Sequence, residues 1–186
     1  MRRSIPDTEA MEAFGLELGR MLRAGDLVVL TGPLGAGKTT LTRGIGAGLG
    51  VRGPVQSPTF VLARTHPSLV GGAPLVHVDA YRLASAAELE DLDLDFRNSV
   101  VVVEWGAGLL DDVSESWLEI VIARRRGHDG GGDAGPDGGD AGEDGGDVGG
   151  GLDAELDEDE PRSVELLGHG PRWAGTPFAV QPQLEE

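Results

Sequence analysis

Between Gly32 and Thr39 the chain reads Gly-Pro-Leu-Gly-Ala-Gly-Lys-Thr, which fits the spacing G-x-x-x-x-G-K-[ST]. Small residues at this density let a backbone wrap around a phosphate with its N–H groups turned inward. A helix starting near Lys38 would add its positive N-terminal end. Lys38 is then placed to reach the β- and γ-phosphates of a nucleotide, and the Thr39 hydroxyl to ligate magnesium. The apolar run "DLVVL" (Asp26 to Leu30) reads as a buried strand just before the loop, and a helical pattern from about Lys38 to Leu49 follows it. Strand, loop and helix in that order are the context such a loop requires. A glycine-rich turn that binds nothing is the plainer alternative, and the full pattern in its full context weighs against it.

A loop of this kind also needs an acid at the end of a neighbouring strand, to hold the magnesium directly or through water. Glu104 ends "VVVVE" and Asp79 ends "LVHVD". One assignment puts Glu104 on magnesium and Asp79 beside the attacking water, orienting or deprotonating it; the reverse stays open, and either could simply be a strand-end or capping acid. His77 lies two residues before Asp79, on the same strand face. A packed core histidine is its plainer reading, a catalytic one the alternative. Trp105 follows Glu104 directly, so it lies near the nucleotide or a partner surface, or else is buried structurally. The guanine signature N-K-x-D is missing, which favours ATP.

The elements that position these groups can be read in outline. Met11, Phe14, Leu18, Met21 and Leu22 recur at helical spacing, with Asp7 or Thr8 as the cap. Gly50 closes the helix after the loop. "PTFVLAR" (Pro58 to Arg64), "PLVHVD" (Pro74 to Asp79) and "SVVVVEW" (Ser99 to Trp105) read as strands, the last apolar on both faces as in a central parallel strand. "SAAELEDL" (Ser85 to Leu92) reads as a short helix with a capping box. "WLEIVIAR" (Trp117 to Arg124) and "RSVELLGH" (Arg162 to His169) alternate like half-exposed antiparallel strands. The expected fold is α/β, a P-loop NTPase-type three-layer arrangement. Its central sheet is mostly parallel, with antiparallel strands at the C-terminal end.

The 186 residues suffice for one domain with a sizeable core. There is no cysteine, which excludes disulfides and suits a reducing cytoplasm. The N-terminus lacks the apolar region of a secretory signal, and no apolar run approaches a membrane span. The formal charge is −17, yet residues 127–161 hold 13 of the 32 acidic residues and no lysine or arginine. That leaves 19 acidic against 15 basic residues elsewhere, a net of −4. No basic face suited to gripping nucleic acid stands out, so any RNA would be held through a partner. The acidic stretch carries an imperfect seven-residue repeat, "GGDAGPD", "GGDAGED", "GGDVGGG", with no apolar seam for a coiled coil. It reads as a disordered insertion in a hairpin, costing only about 2 kcal/mol of extra loop closure. The expected domain is residues 1–126 plus 162–172, with 127–161 as the insertion and 173–186 as a flexible tail.

"GPLGAGKTTLTRGIGAGLG", "VQSPTFVL", "HVDAYRL" and "VVVVEW" occur in that order with short spacers. In combination they resemble the bacterial TsaE family, small P-loop ATPases of tRNA threonylcarbamoyladenosine biosynthesis. The resemblance spans about residues 5 to 125 and resumes over Arg162 to His169. It implies a cytoplasmic ATPase that uses ATP and Mg2+ and works with TsaB-like and TsaD-like proteins, which transfer a threonylcarbamoyl group to the adenosine next to the anticodon. Hydrolysis would reset or sustain that cycle. Carried over by position, Leu34, Gly35, Ala36, Gly37, Lys38 and Thr39 contact the phosphates, and Thr40 follows in the same loop. Thr39 and Glu104 ligate magnesium. Thr59 senses the γ-phosphate. Asp79, with Tyr81 and Arg82 nearby, completes the catalytic edge with Lys38. Arg162 touches the nucleotide, with Arg124, Arg125 and Arg126 as competing candidates, and Asp7 lies near the adenine. One departure falls in the loop itself: the family usually has aspartate where this chain has Pro33.

Other functions share such a loop. A small-molecule kinase would need an acceptor pocket and an arginine-rich lid, for which "ARRRG" (Ala123 to Gly127) is the one lid-like stretch. A nucleotide-gated binding module would bind without useful turnover.

Overall fold

The computed structural model describes residues 1–83, 85, 87–88, 91–106, 108, 114–124 and 160–180. Among the described residues the main elements follow in the order β1 (Arg2–Ile5), α1 (Thr8–Met21), β2 (Leu27–Thr31), α2 (Lys38–Leu49), β3 (Ala63–His66), β4 (Leu75–Asp79), β5 (Val100–Glu104), β6 (Trp117–Arg124) and β7 (Arg162–His169). They form one sheet in the order β1-β7-β6-β2-β5-β4-β3. Its centre, β6-β2-β5-β4, is parallel, while β7 and β1 on one side and β3 on the other run antiparallel to their neighbours. The mostly parallel centre and the antiparallel C-terminal strands are as the sequence predicts.

Strand β2 is buried on both faces because alternate residues serve different cores. Val28 and Leu30 join Met11, Phe14, Leu18, Leu41 and Ile45 beneath the two helices. Leu27 and Val29 join Val76, Val78, Val101 and Val103, covered by Leu83, Leu92, Leu94 and Phe96 from the chain between β4 and β5. On α1, Met21 is exposed while Leu22, just past the last turn, is buried.

Helices α1 and α2 meet backbone to backbone. A Cβ on Gly15 would lie 2.4 Å from the Leu41 carbonyl oxygen and one on Gly19 2.3 Å from that of Ile45. Gly44 and Gly48 reciprocate against Glu12 and Leu16, at 2.3 and 2.4 Å. Glycine at i and i+4 on each helix thus removes the side chains that would hold the axes apart. This approach seats α1 beside the start of α2, so that Met11 lies near Gly37.

Several expectations shift. The strand expected over Pro58 to Arg64 begins only at Ala63 and runs to His66. Before it, the Pro58 carbonyl accepts the Val61 and Leu62 N–H groups, and Leu62 takes a φ of 64°, so the segment turns before it extends. Strand β1 has no apolar alternation to announce it, since only Ile5 is buried. Its ladder to β7 and the Arg2–Glu165 pair (2.9 Å) hold it at the edge. The tail expected to be flexible from residue 173 is packed as far as the description reaches. Trp173 is 3% exposed, the Gly168 N–H donates to the Phe178 carbonyl, and Arg172 forms a two-pronged pair with buried Asp26 at 2.8 and 3.0 Å. In the expected Ser85 to Leu92 helix, the Glu88 N–H donates to Ser85 Oγ at 3.4 Å, but Ala86, Leu89 and Glu90 lie outside the described residues. Of the acidic insertion expected over 127–161, residues 127–159 lie outside them too. Among the described residues no helix is long and apolar enough to cross a membrane.

The helix contact yields a sign reversal. Gly→Ala in an open helix gains about 1 kcal/mol. Gly44→Ala is expected instead to destabilise the fold by about 2 kcal/mol, because the methyl group meets backbone that cannot yield. Urea unfolding of Gly44→Ala against wild type, with exposed Gly72→Ala as control, measures it.

Candidate functional site

The glycine loop links the end of β2 to the start of α2. Gly35 and Gly37 take φ of 72° and 102°, left-handed values that favour glycine. Gly32 is needed for a different reason: a Cβ there would lie 2.5 Å from the Ile122 carbonyl oxygen of β6. Gly37 caps α2 with no side-chain hydrogen bond, so the first N–H groups of the helix keep no side-chain partner and the helix adds no acid in its first turn. Ala36 is buried, and its N–H donates to the Pro33 carbonyl at 3.2 Å. Leu34 stands out at the loop tip, 85% exposed.

Lys38 is buried, and its ammonium donates to the carbonyls of Gly32 and Pro33, both at 3.0 Å. Its Nζ also sits 3.6 Å from the centroid of the Trp105 ring, a cation–π contact. Trp105 has a φ of 64°, unusual for a bulky residue and consistent with strain held at a working site, and its ring meets Tyr81 edge-on at 5.5 Å. Burial pushes the Lys38 pKa below its ordinary value, and the carboxylates of Glu104 and Asp79 pull the other way.

Glu104 joins three elements. Its Oε1 accepts the Thr39 hydroxyl at 2.9 Å and His77 Nε2–H at 2.8 Å. His77 is fully buried. It therefore acts neither as bare packing nor at an open catalytic position; it fixes the carboxylate that faces Thr39. Asp79 is paired in register with Glu104 on the adjacent strand, is 6% exposed, and accepts the Tyr81 N–H at 3.1 Å through Oδ1. Lys38, Thr39, Glu104 and Asp79 are thus brought to one end of β2, β4 and β5. Thr40 sits half-buried in the first turn of α2.

Two expected residues, Thr59 and Asp7, stand further out. The Thr59 hydroxyl pairs with Ser57 Oγ at 2.7 Å on an exposed turn, and its carbonyl accepts from Arg82. Asp7 caps α1, accepting the Ala10 N–H at 2.7 Å, so its carboxylate is engaged within the fold. Arg162 is buried, with Cδ 3.9 Å from where a Gly37 Cβ would stand, and Arg124 donates to the Gly35 carbonyl at 3.1 Å. The two arginines are paired across β6 and β7, so both stand at the loop. Arg125 and Arg126 lie outside the described residues. The Lys38–Trp105 contact and the Arg124–Gly35 bond were not foreseen. The adjacency of Glu104 and Trp105 hints at the first; the second could be found only from the β6–β7 register.

The residues present fit the groups the sequence points to. Side-chain-free N–H groups at the start of α2 suit a phosphate. Hard oxygens of Thr39 and Glu104 suit Mg2+, which commonly takes one or two carboxylates together with phosphates and water. No group of three or more His, Cys, Asp or Glu placed to hold a metal ion occurs among the described residues.

A parallel-centred α/β sheet with a glycine loop between its second strand and second helix defines the P-loop class. The comparisons specify it further. A sequence profile described as "Threonylcarbamoyl adenosine biosynthesis protein TsaE" matches residues 5–129. A Streptomyces coelicolor protein named tRNA threonylcarbamoyladenosine biosynthesis protein TsaE is 48% identical over 173 residues, covering 91% of this chain and 98% of its own. A Bacillus subtilis protein of the same name is 41% identical over 105 residues, 55% of this chain and 64% of its own. The crystal structure of Bacillus subtilis YdiB superposes with a TM-score of 0.60 at 25% identity, covering 92% of this chain and 86% of that one. The chain belongs to the TsaE family.

The buried ammonium gives a testable consequence. A pKa lowered in the fold means that the unfolded chain binds the Lys38 proton more tightly. The folded protein therefore carries a penalty at neutral pH, which fades as pH rises toward 10.5, the ordinary lysine value. Lys38→Met removes the charge and keeps the bulk. It is expected to unfold at higher urea than wild type at pH 7, with the difference shrinking at pH 10; equal midpoints at both pH values would show that the charge is compensated.

Proposed function

We propose that the chain binds ATP with Mg2+ and hydrolyses it slowly, in support of threonylcarbamoyl modification of the adenosine next to the anticodon of tRNA. It would act in the cytoplasm with TsaB-like and TsaD-like proteins, tRNA being held through those partners. One observation carries the nucleotide reading: Lys38, the Thr39–Glu104 pair and Asp79 converge at the start of a helix whose first N–H groups lack a side-chain cap. The pathway reading rests on family membership and on the name shared by the relatives.

In this reading Lys38 leaves the carbonyls of Gly32 and Pro33 for the β- and γ-phosphate oxygens, exchanging neutral acceptors for charged ones. Bound magnesium would be held by Thr39 and Glu104 and would neutralise phosphate charge. His77 keeps the Glu104 carboxylate turned toward Thr39. Asp79 Oδ1 is engaged by the Tyr81 N–H, which leaves Oδ2 to orient a water or take its proton. Arg162 lies where it can meet the nucleotide from the far side of Gly37, and Thr59 would sense the γ-phosphate only if its turn moved inward on binding. Leu34 to Thr40 line the phosphates as the family pattern implies. Asp7, already a helix cap, would meet the adenine only through its surroundings. Against the kinase alternative, Arg124 is turned onto the loop backbone rather than outward as a lid residue.

Lys38→Ala is expected to weaken ATP binding about 100-fold, the loss of two charge-assisted contacts, by calorimetry. Unchanged affinity would sink the assignment. A modification assay with purified partners and tRNA, run with and without this chain, tests the pathway: multiple turnovers are expected only with it. Transfer of the γ-phosphate to a metabolite would favour the kinase instead.

A further inference from the structure

Arg124 ends β6 and Arg162 begins β7, opposite each other at the root of the acidic insertion. Arg124 Nη2–H donates to the Gly35 carbonyl at 3.1 Å, on the outer side of the phosphate loop. Glu160, the last acidic residue of the insertion, touches both arginines. Its carboxylate lies 3.9 Å from Arg124 Nε, and its carbonyl accepts from Arg162 Nη1 at 2.8 Å. Arg162 in turn lies against Gly37. The two loop glycines with left-handed backbone are therefore each backed by an arginine, and one glutamate holds that pair.

From this geometry we infer that Arg124 is a positioning residue for the phosphate loop and that Glu160 sets it, coupling the point where the acidic insertion rejoins the sheet to nucleotide affinity. The inference rests on the ATP reading above. A guanidinium on the Gly35 carbonyl fixes the orientation of the Gly35–Ala36 peptide, and with it the direction of the Ala36 N–H. That N–H donates to the Pro33 carbonyl, so the Arg124 contact helps keep the loop tip in its coiled form. Arg124 and Glu160 are each about one-third exposed, so the pair is screened by salt and the coupling is adjustable rather than rigid.

The test uses the full chain and ATP–Mg2+ as probe, by calorimetry and steady-state hydrolysis. Wild type is measured first, with Lys38→Ala as reference; absence of wild-type binding would defeat the ATP reading and leave nothing to position. Given wild-type binding, Arg124→Ala is expected to weaken ATP affinity about fivefold, with the effect on KM rather than kcat and no matching change in unfolding midpoint. Arg124→Lys, which keeps a donor and a charge, is expected to restore most of it. Glu160→Gln is expected to shift affinity by two- to threefold and to flatten its dependence between 50 and 300 mM salt. Wild-type affinity in Arg124→Ala would overturn the inference. So would a loss that tracks unfolding and is not rescued by lysine.

Discussion

A lysine ammonium cannot be buried without partners, and the site is built around meeting that requirement at Lys38. Two loop carbonyls accept hydrogen bonds from it, and the Trp105 ring lies against it. Each partner imposes a constraint of its own. The carbonyls converge only because the loop is coiled tightly enough to need left-handed glycines. The ring reaches the ammonium from a left-handed backbone position at the end of the central strand. Burial lowers the Lys38 pKa, and the carboxylates of Glu104 and Asp79 oppose that shift. Pro33 fits this scheme without loss. Its carbonyl accepts from both Lys38 Nζ and the Ala36 N–H, so the loop uses the oxygen that proline retains and not the N–H that it lacks. What an aspartate carboxylate would add at that position is met by nothing in this loop.

The helix pair is the second constraint. A loop at a helix start is only as well placed as the helix, and α2 is held by direct backbone contact with α1 at two glycines on each side. The same contact brings Met11 under Gly37, so the N-terminal helix becomes part of the floor of the loop. Exposed ion pairs at this crossing, such as Arg43–Glu12 at 2.7 Å, add little by comparison.

What could be read in the sequence followed from how local each signal is. The loop, its flanking strand and helix, and the acids ending β4 and β5 depend on short spacings, and the structure brings them together. Asp7 as a helix cap was equally local. Features needing pairing information were not legible. Strand β1 carries three polar residues and one apolar one, so only its ladder to β7 makes it a strand. The turn at Pro58 to Leu62 looks extended by composition, yet one positive φ and two hydrogen bonds to the same carbonyl bend it. Trp173 is buried by a return of the chain that no periodicity marks. His77 was visible as a residue, but its bond to Glu104 depends on the β4–β5 register.

The antiparallel strands look like an appendage to a parallel sheet, but they form the back wall of the glycine loop. The Ile122 carbonyl of β6 stands so close to Gly32 that no side chain could enter there. Further along β6, Arg124 grips Gly35, and across the ladder Arg162 stands against Gly37. The three glycines of the loop thus each meet one feature of β6 or β7. The wing is fixed from below as well: Arg172, just after β7, closes on Asp26 at the start of β2, the strand that feeds the loop. Strand β2 is therefore tied to the wing at both ends, by Asp26 where it begins and by Gly32 just after it stops. A shift of β6 and β7 cannot leave the loop unchanged, and the residue that anchors the insertion between those two strands, Glu160, touches both arginines that meet the loop.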